Sequence, residues 1–356
     1  MLFSIASPRI AIVGAGAIGT TLAARLAVAG YTVSVLARGD SLAAIKRKGV
    51  CLIDQQGQHT ASVIAADNGG ELGKQDIVFL CTKAHSVPSL LPQLQPLFGQ
   101  HTCLVPMVNG TPWWLLMDAV EPCAANTAPI ATAPIETVHI KAVDPEGELV
   151  RCLPASAIIG CVVYISAHLQ APGVAISNTP PRLIVGDIVA TPDAANGRME
   201  TLVKVLENGG ITTRHTERIR DAVWSKIAAN LTSNPLSVMT GATLAQLYSH
   251  PSLQKVVSQL FEETHLTAQA YGGRLEMTLQ ELLDLGERMG AVRTSMLQDY
   301  QLGRALELAA IVEGVIELAD RKRIPVPTIK SILHLTRYFE DSALRQSHAH
   351  GGKENS

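Results

Sequence analysis

A glycine-rich turn near the start of the chain constrains the fold more than any other feature. The sequence Gly14-Ala-Gly-Ala-Ile-Gly19 follows a strand-like run at residues 9–13 and opens a helical run at about 18–29, and a second strand-like run covers 32–36. Glycines at this spacing allow a tight turn, a close approach of backbone to a pyrophosphate, and close packing of the helix on the strand. The segment therefore predicts a βαβ unit that binds a dinucleotide through Gly14, Ala15, Gly16, Ala17, Ile18 and Gly19.

The residue after the second strand indicates which dinucleotide is bound. NAD enzymes usually place an Asp or Glu there for the ribose 2′-hydroxyl, whereas this chain has Arg38. A guanidinium suits a 2′-phosphate, so the cofactor is predicted to be NADPH rather than NADH. Asp40 leaves a ribose-binding carboxylate as the alternative. The basic run at 46–48 either adds attraction for the phosphate or forms a solvated helix face.

The hydrophobic pattern divides the chain into two domains and a tail. Residues 1–216 alternate strand-like and helical runs, residues 217–343 are dominated by helical runs, and the polar tail at 344–356 is expected to be disordered. Further strands are predicted at 77–81, 102–108, 157–165 and 182–185, and helices at 194–208, 218–234, 252–271, 278–286 and 304–323. The predicted class is α/β, a Rossmann-type doubly wound, largely parallel sheet followed by an all-helical domain.

Composition excludes several kinds of partner. The 356 residues carry a formal net charge of −2, so no basic excess favours binding to nucleic acid. The most apolar stretch, 10–24, is shorter than the roughly 20 residues of a membrane span, and no charged leader precedes it. Six cysteines are scattered without a CxxC pair. We therefore expect a cytoplasmic protein with buried free thiols, no metal site and no membrane partner.

A polar stripe interrupts an apolar helix in the second half of the chain. Lys226, Asn230 and Asn234 recur every four residues and so share one helix face, and Pro235 is expected to end or kink the helix. Taken alone, the stripe also fits an ordinary solvated face. The residues between are largely apolar, however: Ile227, Ala228, Leu231 and Leu236. A lysine in such surroundings is expected to have either a hydrogen-bonding or charged partner or a role in function. An ammonium can protonate a carbonyl oxygen during hydride delivery.

The chain resembles the ketopantoate reductases (2-dehydropantoate 2-reductases) over nearly its whole length. The motifs that carry the resemblance are the glycine-rich turn, Thr82-Lys83-Ala84, Val108-Asn109-Gly110, Lys226-Ile-Ala-Ala-Asn-Leu-Thr-Ser-Asn-Pro-Leu236 and Thr294-Ser-Met-Leu-Gln-Asp299, with Glu307 beyond. The resemblance implies NADPH-dependent reduction of 2-dehydropantoate to (R)-pantoate, in pantothenate and coenzyme A biosynthesis, at a cleft between the two domains.

The resemblance also implies a role for each site residue. Lys226 would donate the proton, and Asn230, Asn234 and Ser295 would bind substrate. Asn109 would touch both substrate and cofactor, while Arg38, Lys83 and Glu307 would serve the cofactor. Ser166 stands near the nicotinamide position, where the family usually has alanine. Taken singly, Lys83 fits a solvated cation, Asn109 a turn, Ser295 a helix N-cap and Glu307 a surface carboxylate.

Two departures from the family pattern leave the substrate open. Leu244 stands where the family has a further substrate-binding asparagine, and Thr111-Pro-Trp-Trp114 is typical of a divergent branch. Another branched 2-keto acid is therefore an alternative substrate, and a non-catalytic NADP-binding sensor is an alternative from another class. Apolar positions along 305–319 fit either a core helix or contact between two copies, so a homodimer is possible.

Overall fold

The computed structural model describes residues 7–117, 138–189 and 197–351, with side chains to residue 342. It divides into two compact units. The first comprises Met1–Asn109, Trp113–His139 and Glu146–Ile219, and the second Gly110–Pro112, Ile140–Pro145 and Arg220–Ser356. The main division thus lies beside the boundary expected after residue 216, while two short segments of the first half belong to the second unit.

The first unit alternates strands and helices. In chain order its elements are β1 (Ile10–Val13), α1 (Ala17–Val28), β2 (Val33–Leu36), α2 (Gly39–Lys48), β3 (Val50–Asp54), β4 (Gly57–Ala61), β5 (Ile64–Ala66), α3 (Gly69–Leu72), β6 (Ile77–Leu80), α4 (Leu91–Leu94), β7 (Cys103–Pro106), α5 (Glu148–Cys152), β8 (Ile159–Tyr164), β9 (Ala167–Ala171), β10 (Val174–Ser177), β11 (Arg182–Asp187), α6 (Arg198–Asn208) and β12 (Thr212–His215). The start predicted for α6, at residue 194, lies outside the described residues.

A five-stranded parallel sheet of order β5-β2-β1-β6-β7 forms the centre of this unit. All residues of β1, β2, β6 and β7 are buried, which is typical of parallel strands covered on both faces. The predicted α/β class, with a Rossmann-type sheet followed by a helical region, is confirmed.

The prediction of one largely parallel sheet is wrong for the later strands. β8 and β11 pair antiparallel in a separate three-stranded sheet, β12-β11-β8, which an isolated parallel bridge between Leu104 and Ile158 connects to the central sheet. A further sheet, β4-β3-β10-β9, has no counterpart in the prediction. Its outer strands are largely exposed and carry polar residues between their apolar ones, so they lack the apolar runs that reveal buried strands.

The second unit is mainly helical in its described parts. Its elements are α7 (Ile219–Thr240, beginning at the boundary), α8 (Leu244–Ser249), α9 (Pro251–Ala270), α10 (Leu279–Arg288), α11 (Ser295–Gln301), a π-helical turn (Ala309–Glu313), α12 (Gly314–Arg321) and α13 (Pro327–Gly351). Among the described residues, no helix combines the length and the apolar character needed to cross a bilayer.

Three predictions about these helices differ from the structure. α7 continues through Pro235 to Thr240, because Leu231, Leu236 and Val238 are buried and their packing holds the helix across the missing N–H. The helix predicted from 304 is non-helical over 304–307. The backbone of 344–351 is helical where a disordered tail was expected, and 352–356 lie outside the described residues.

Five described cysteines are free, as expected. Cys51, Cys103 and Cys161 are buried, as expected, whereas the expectation of burial is wrong for Cys152, which is exposed; Cys123 lies outside the described residues. Burial raises the pKa of the Cys103 thiol to about 11 and that of Cys161 further above its ordinary value. These two thiols are therefore protonated at neutral pH and act as small apolar side chains.

Glu263 of α9 anchors the N-terminus of α13. The side chain is 9% exposed, and its two carboxylate oxygens accept hydrogen bonds from the N–H groups of Thr328 and Ile329, both at 2.9 Å. A negative charge at a helix N-terminus also complements the helix dipole. This one side chain therefore satisfies two N–H groups that have no partner within the helix.

Replacing Glu263 with alanine should lower the free energy of unfolding by about 3 kcal/mol, since two charge-assisted bonds are lost and the N–H groups stay buried. Urea denaturation measures the change. Glu262→Ala is the matched control, because Glu262 is exposed on the same helix. Equal stability of the two variants would contradict this account of the helix anchor.

Candidate functional site

The glycine-rich turn has the geometry that the sequence predicts. Gly14 adopts φ +101°, and its N–H donates to the carbonyl of Leu36 at 3.0 Å. A Cβ at Gly19 would lie 1.9 Å from the carbonyl oxygen of Gly14, so α1 can approach the turn only with glycine there. A Cβ at Gly16, by contrast, would meet nothing within 4 Å. Gly14 and Gly19 are thus required by the protein's own packing, whereas Gly16 leaves space for a ligand.

A cavity of about 430 Å³ opens beside this turn in the first unit. Its lining residues lie mainly on the loops after β1, β2, β5 and β6: Val13, Gly14, Ala15, Gly16, Leu36, Ala37, Arg38, Ser41, Asp67, Thr82, Ser89, Leu90 and Gln93, together with Leu169 of β9. The carboxyl ends of parallel strands are where ligands bind in open α/β sheets. The cavity lies within the usual size range of ligand pockets, and its position beside the glycine-rich turn suits the adenosine and phosphate portion of such a cofactor.

Four predicted cofactor residues, Gly14, Ala15, Gly16 and Arg38, line the cavity together. Ala17, Ile18 and Gly19 form the first turn of α1, whose N-cap is Gly16. Arg38 is the exposed N-cap of α2, whereas Asp40 does not line the cavity, and Lys46, Arg47 and Lys48 lie exposed at the far end of that helix. Arg38 therefore lines the cavity and Asp40 does not.

Lys83 and Ser166 are not among the residues that line this cavity. Lys83 is half-buried and follows the lining residue Thr82 directly. Ser166 is exposed between β8 and β9, and its carbonyl accepts a hydrogen bond from the Ser177 hydroxyl at 3.1 Å. Their assignments to the cofactor stay predictions.

Sequence analysis assigned no role to several lining residues, including Ser41, Asp67, Gln93 and Leu169. Asp67 follows β5, which pairs in parallel with β2, so its place at the carboxyl edge of the sheet was available from strand order. β5 has only three residues, too few for a reliable strand prediction. Leu169 lies on a strand without an apolar run, and no sequence signal places it at the cavity.

The polar stripe on α7 is largely buried. Asn230 is 9% and Asn234 5% exposed, and Lys226 is half-buried. The amide nitrogen Nδ2 of Asn230 is buried and has no hydrogen-bond partner among the described residues. The hydroxyls of Thr232, Ser233 and Ser237, in contrast, donate to carbonyls of their own helix. The stripe is therefore not a solvated helix face, and Asn230 retains a donor for a ligand.

Ser295 lies near the carboxyl half of the stripe. The N-cap of α11 is Thr294, whose hydroxyl accepts from the N–H of Leu297 at 3.1 Å, so the simpler interpretation of Ser295 as an N-cap is wrong. The Thr294 hydroxyl also contacts the Ser237 hydroxyl at 2.6 Å, which joins the start of α11 to α7 one turn beyond Asn234. Ser295 itself is exposed, and its hydroxyl is accessible to a ligand.

The backbone directly after Asn109 packs against the π-helical turn. Asn109 is half-buried at the end of the first unit, and the chain enters the second unit at Gly110. Gly110 has φ +82°, and a Cβ there would lie 2.5 Å from the carbonyl oxygen of Ala310, which also accepts the N–H of Thr111 at 2.7 Å. Glu307 is half-buried just before this turn, so it is not the simple surface carboxylate of the alternative interpretation.

Comparisons with known proteins agree with these features. A model described as ketopantoate reductase PanE/ApbA matches residues 10–189, and its C-terminal counterpart matches 218–340. A 2-dehydropantoate 2-reductase from Mesorhizobium japonicum is 34% identical over 92% of this chain and 97% of its own length.

Solved structures share the fold over almost the whole chain. A protein described as a candidate ketopantoate reductase from Ralstonia solanacearum MolK2 has a TM-score of 0.83 at 31% identity, with 95% of this chain and 99% of that chain covered. A ternary structure of D-mandelate dehydrogenase with NADH and anilino(oxo)acetate has a TM-score of 0.77 at 19% identity, over 94% of this chain and 99% of that chain.

Proposed function

Because the chain belongs to the ketopantoate reductase family, a family of oxidoreductases, we propose that it reduces 2-dehydropantoate to (R)-pantoate with NADPH. The observation that carries the proposal is the buried stripe of α7. Lys226, Asn230 and Asn234 combine a cation with two amides on one helix face, and Nδ2 of Asn230 has no partner among the described residues. A carbonyl and a carboxylate are the groups that such donors bind.

Two features of the first unit support a dinucleotide that carries a 2′-phosphate as the proposed cofactor. A Cβ at Gly16, the N-cap of α1, would meet nothing within 4 Å, which leaves space for a phosphate at the helix N-terminus, and Arg38 lines the same cavity. NADPH, when bound, supplies the hydride for C2 of the keto acid. Arg38 would pair with the 2′-phosphate, and Lys83, Asn109, Ser166 and Glu307 are proposed to complete the contacts with the cofactor.

Lys226 would supply the proton that the reaction requires. Reduction of the carbonyl leaves negative charge on its oxygen, and the ammonium Nζ–H would donate to that oxygen as the charge develops. Asn230 and Asn234 would orient the substrate through their amide groups. The Ser295 hydroxyl would donate to the substrate carboxylate, and Asn109 would contact substrate as well as cofactor. Product formation therefore adds one hydride at carbon and one proton at oxygen.

The substrate is tested by ranking kcat/KM for 2-dehydropantoate, 2-ketoisovalerate, pyruvate and a bulkier aromatic 2-keto acid, with consumption of NADPH as the readout. We expect 2-dehydropantoate to exceed the others at least tenfold, a difference of about 1.4 kcal/mol in transition-state binding. A tenfold advantage for any other keto acid would reassign the substrate.

Arg38→Ala should raise the Kd for NADPH about 10- to 100-fold and leave the Kd for NADH nearly unchanged, because a charge-assisted contact worth about 1.5–3 kcal/mol exists only with the 2′-phosphate. Fluorescence titration with each cofactor measures both constants. Arg47→Ala is the matched control, since Arg47 is exposed on the same helix and does not line the cavity. Similar losses for NADPH and NADH would remove Arg38 as the residue that selects the phosphate.

One observation favours a second candidate, the reduction of another branched 2-keto acid. Leu244 is half-buried, and its N–H donates to the carbonyl of Val292 at 2.9 Å, three residues before Ser295. The backbone of Leu244 is thus bonded to the loop that leads to Ser295, a proposed substrate residue. Trp113 and Trp114 are 2% and 1% exposed, so they belong to the core and give this alternative no further support.

A further inference from the structure

One wall of the cofactor cavity comes from outside the Rossmann sheet. Leu169 lies on β9, the edge strand of the β4-β3-β10-β9 sheet, and lines the cavity together with Gly16, Arg38 and Ser41. Its side chain is 37% exposed. Single exposed leucines are common on protein surfaces, so exposure alone carries no argument. This leucine, however, lines the same cavity as a cation, Arg38, and the N-cap of α1, Gly16, and that position requires a reason.

The backbone directs Leu169 toward this position. Ala171 pairs with Val174, but the next pair is Leu169 with Ala175, so Gln170 is an extra residue in β9. A bulge of this kind in an edge strand bends the strand and re-aims the adjacent side chain. Directly paired residues share one face of a sheet, and Ala175 is fully buried. Leu169 therefore lies on the inner face of its hairpin.

The hairpin is also fixed on the helix that Arg38 caps. The carbonyl of Gly173, in the turn between β9 and β10, accepts the N–H of Cys51 at 2.8 Å. A Cβ at Gly173 would lie 3.1 Å from Cγ1 of Ile45, which is a buried residue of α2. The turn of the hairpin thus contacts α2. The N-cap of this helix is Arg38, and its first turn includes Ser41.

We propose that Leu169 is a specificity-determining residue of the cofactor site, which excludes water from the contact between Arg38 and the 2′-phosphate of NADPH. The inference rests on the proposed use of NADPH. An apolar wall beside an ion pair lowers the local dielectric constant and reduces screening by salt, so the pair is strengthened. NADH has no phosphate at this position and gains less from the wall.

Three variants test this role by equilibrium binding of NADPH and NADH, without any keto acid. Leu169→Glu places a negative charge on the wall, and Leu169→Gln removes its apolar character at similar size. Gln170→Glu creates the same residue one position further along, on an exposed side chain outside the cavity lining. Thermal unfolding of each variant confirms that the fold is retained, and Leu169→Gln keeps the test valid if the charged variant is unstable.

We expect Leu169→Glu to raise the Kd for NADPH at least tenfold and that for NADH less, and Gln170→Glu to change either by less than twofold. Leu169→Gln should weaken NADPH binding about threefold and make it more sensitive to salt. Equal effects of the two glutamates, or equal losses for NADPH and NADH, would overturn the proposal. Failure of the parent protein to bind NADPH would instead refute the proposed cofactor itself, so the two failures are distinguishable.

Discussion

Lys226→Ala should lower kcat for keto-acid reduction about 10²- to 10⁴-fold, which is the usual contribution of a positioned general acid. KM should change much less, because the proton is transferred only as charge develops on the carbonyl oxygen. The surroundings on α7 strengthen the expectation: Lys226 is half-buried, and Asn230 and Asn234 on the same face are at most 9% exposed, so access of water to this face is restricted. Steady-state kinetics with saturating NADPH measure both constants.

Lys255→Ala provides the matched control for Lys226, because Lys255 is an exposed lysine of the same unit. It should retain full turnover. Added primary amines should restore part of the activity of Lys226→Ala and none to any variant that is merely misfolded. Wild-type kcat in Lys226→Ala would remove this residue from the mechanism.

The second large effect is expected from substitutions in the glycine-rich turn, where Gly16 and Gly19 should respond differently in stability and in NADPH binding. Gly16→Ala should leave the free energy of unfolding within about 0.5 kcal/mol of the parent, since the new methyl group meets no protein atom within 4 Å and φ is −73°. It should nevertheless raise the Kd for NADPH at least tenfold, because the methyl group occupies the space through which a pyrophosphate would approach the backbone. Cofactor titration and urea denaturation give the two values.

Gly19→Ala, in contrast, should lower the stability of the protein as well as weaken NADPH binding. Its Cβ would lie 1.9 Å from the carbonyl oxygen of Gly14, so α1 must shift away from the turn. Overpacking of this kind costs about 1–3 kcal/mol of stability, and the distorted turn should also bind NADPH less well. If Gly16→Ala destabilised the protein as much as Gly19→Ala, the division between a ligand-facing and a packing glycine would be wrong.

The parts of the fold that could be predicted are those with strong local patterns. β1 and β6 are continuous buried apolar runs, β2 is buried and interrupted only by Ser34, and the glycine spacing identifies the turn between β1 and α1. The hairpin strands β4 and β9 could not be predicted, because they lie at sheet edges and carry polar side chains. Pro235 was assigned the wrong effect because tertiary packing around α7 outweighs a local preference.

The residues of the candidate site also fall into those that the sequence reveals and those that depend on tertiary structure. Arg38 and the stripe of α7 could be proposed from the sequence because their charge and spacing are visible in it. Leu169 and Asp67 reach the cavity through strand order and a bulge, which depend on pairings between distant segments. The burial of Asn230 likewise follows from packing, which the sequence pattern alone did not determine.

Transfer of the hydride itself tests the central claim most directly. NADPH that carries deuterium at both positions of nicotinamide C4 is incubated with 2-dehydropantoate and the purified protein, and the product is examined by mass spectrometry and NMR. The account predicts (R)-pantoate with a single deuterium at C2, formed only in the presence of the protein and suppressed in Lys226→Ala. Tight binding of NADPH without label in any product from 2-dehydropantoate would contradict it, and would favour either another keto acid or a sensor that binds the cofactor without turnover.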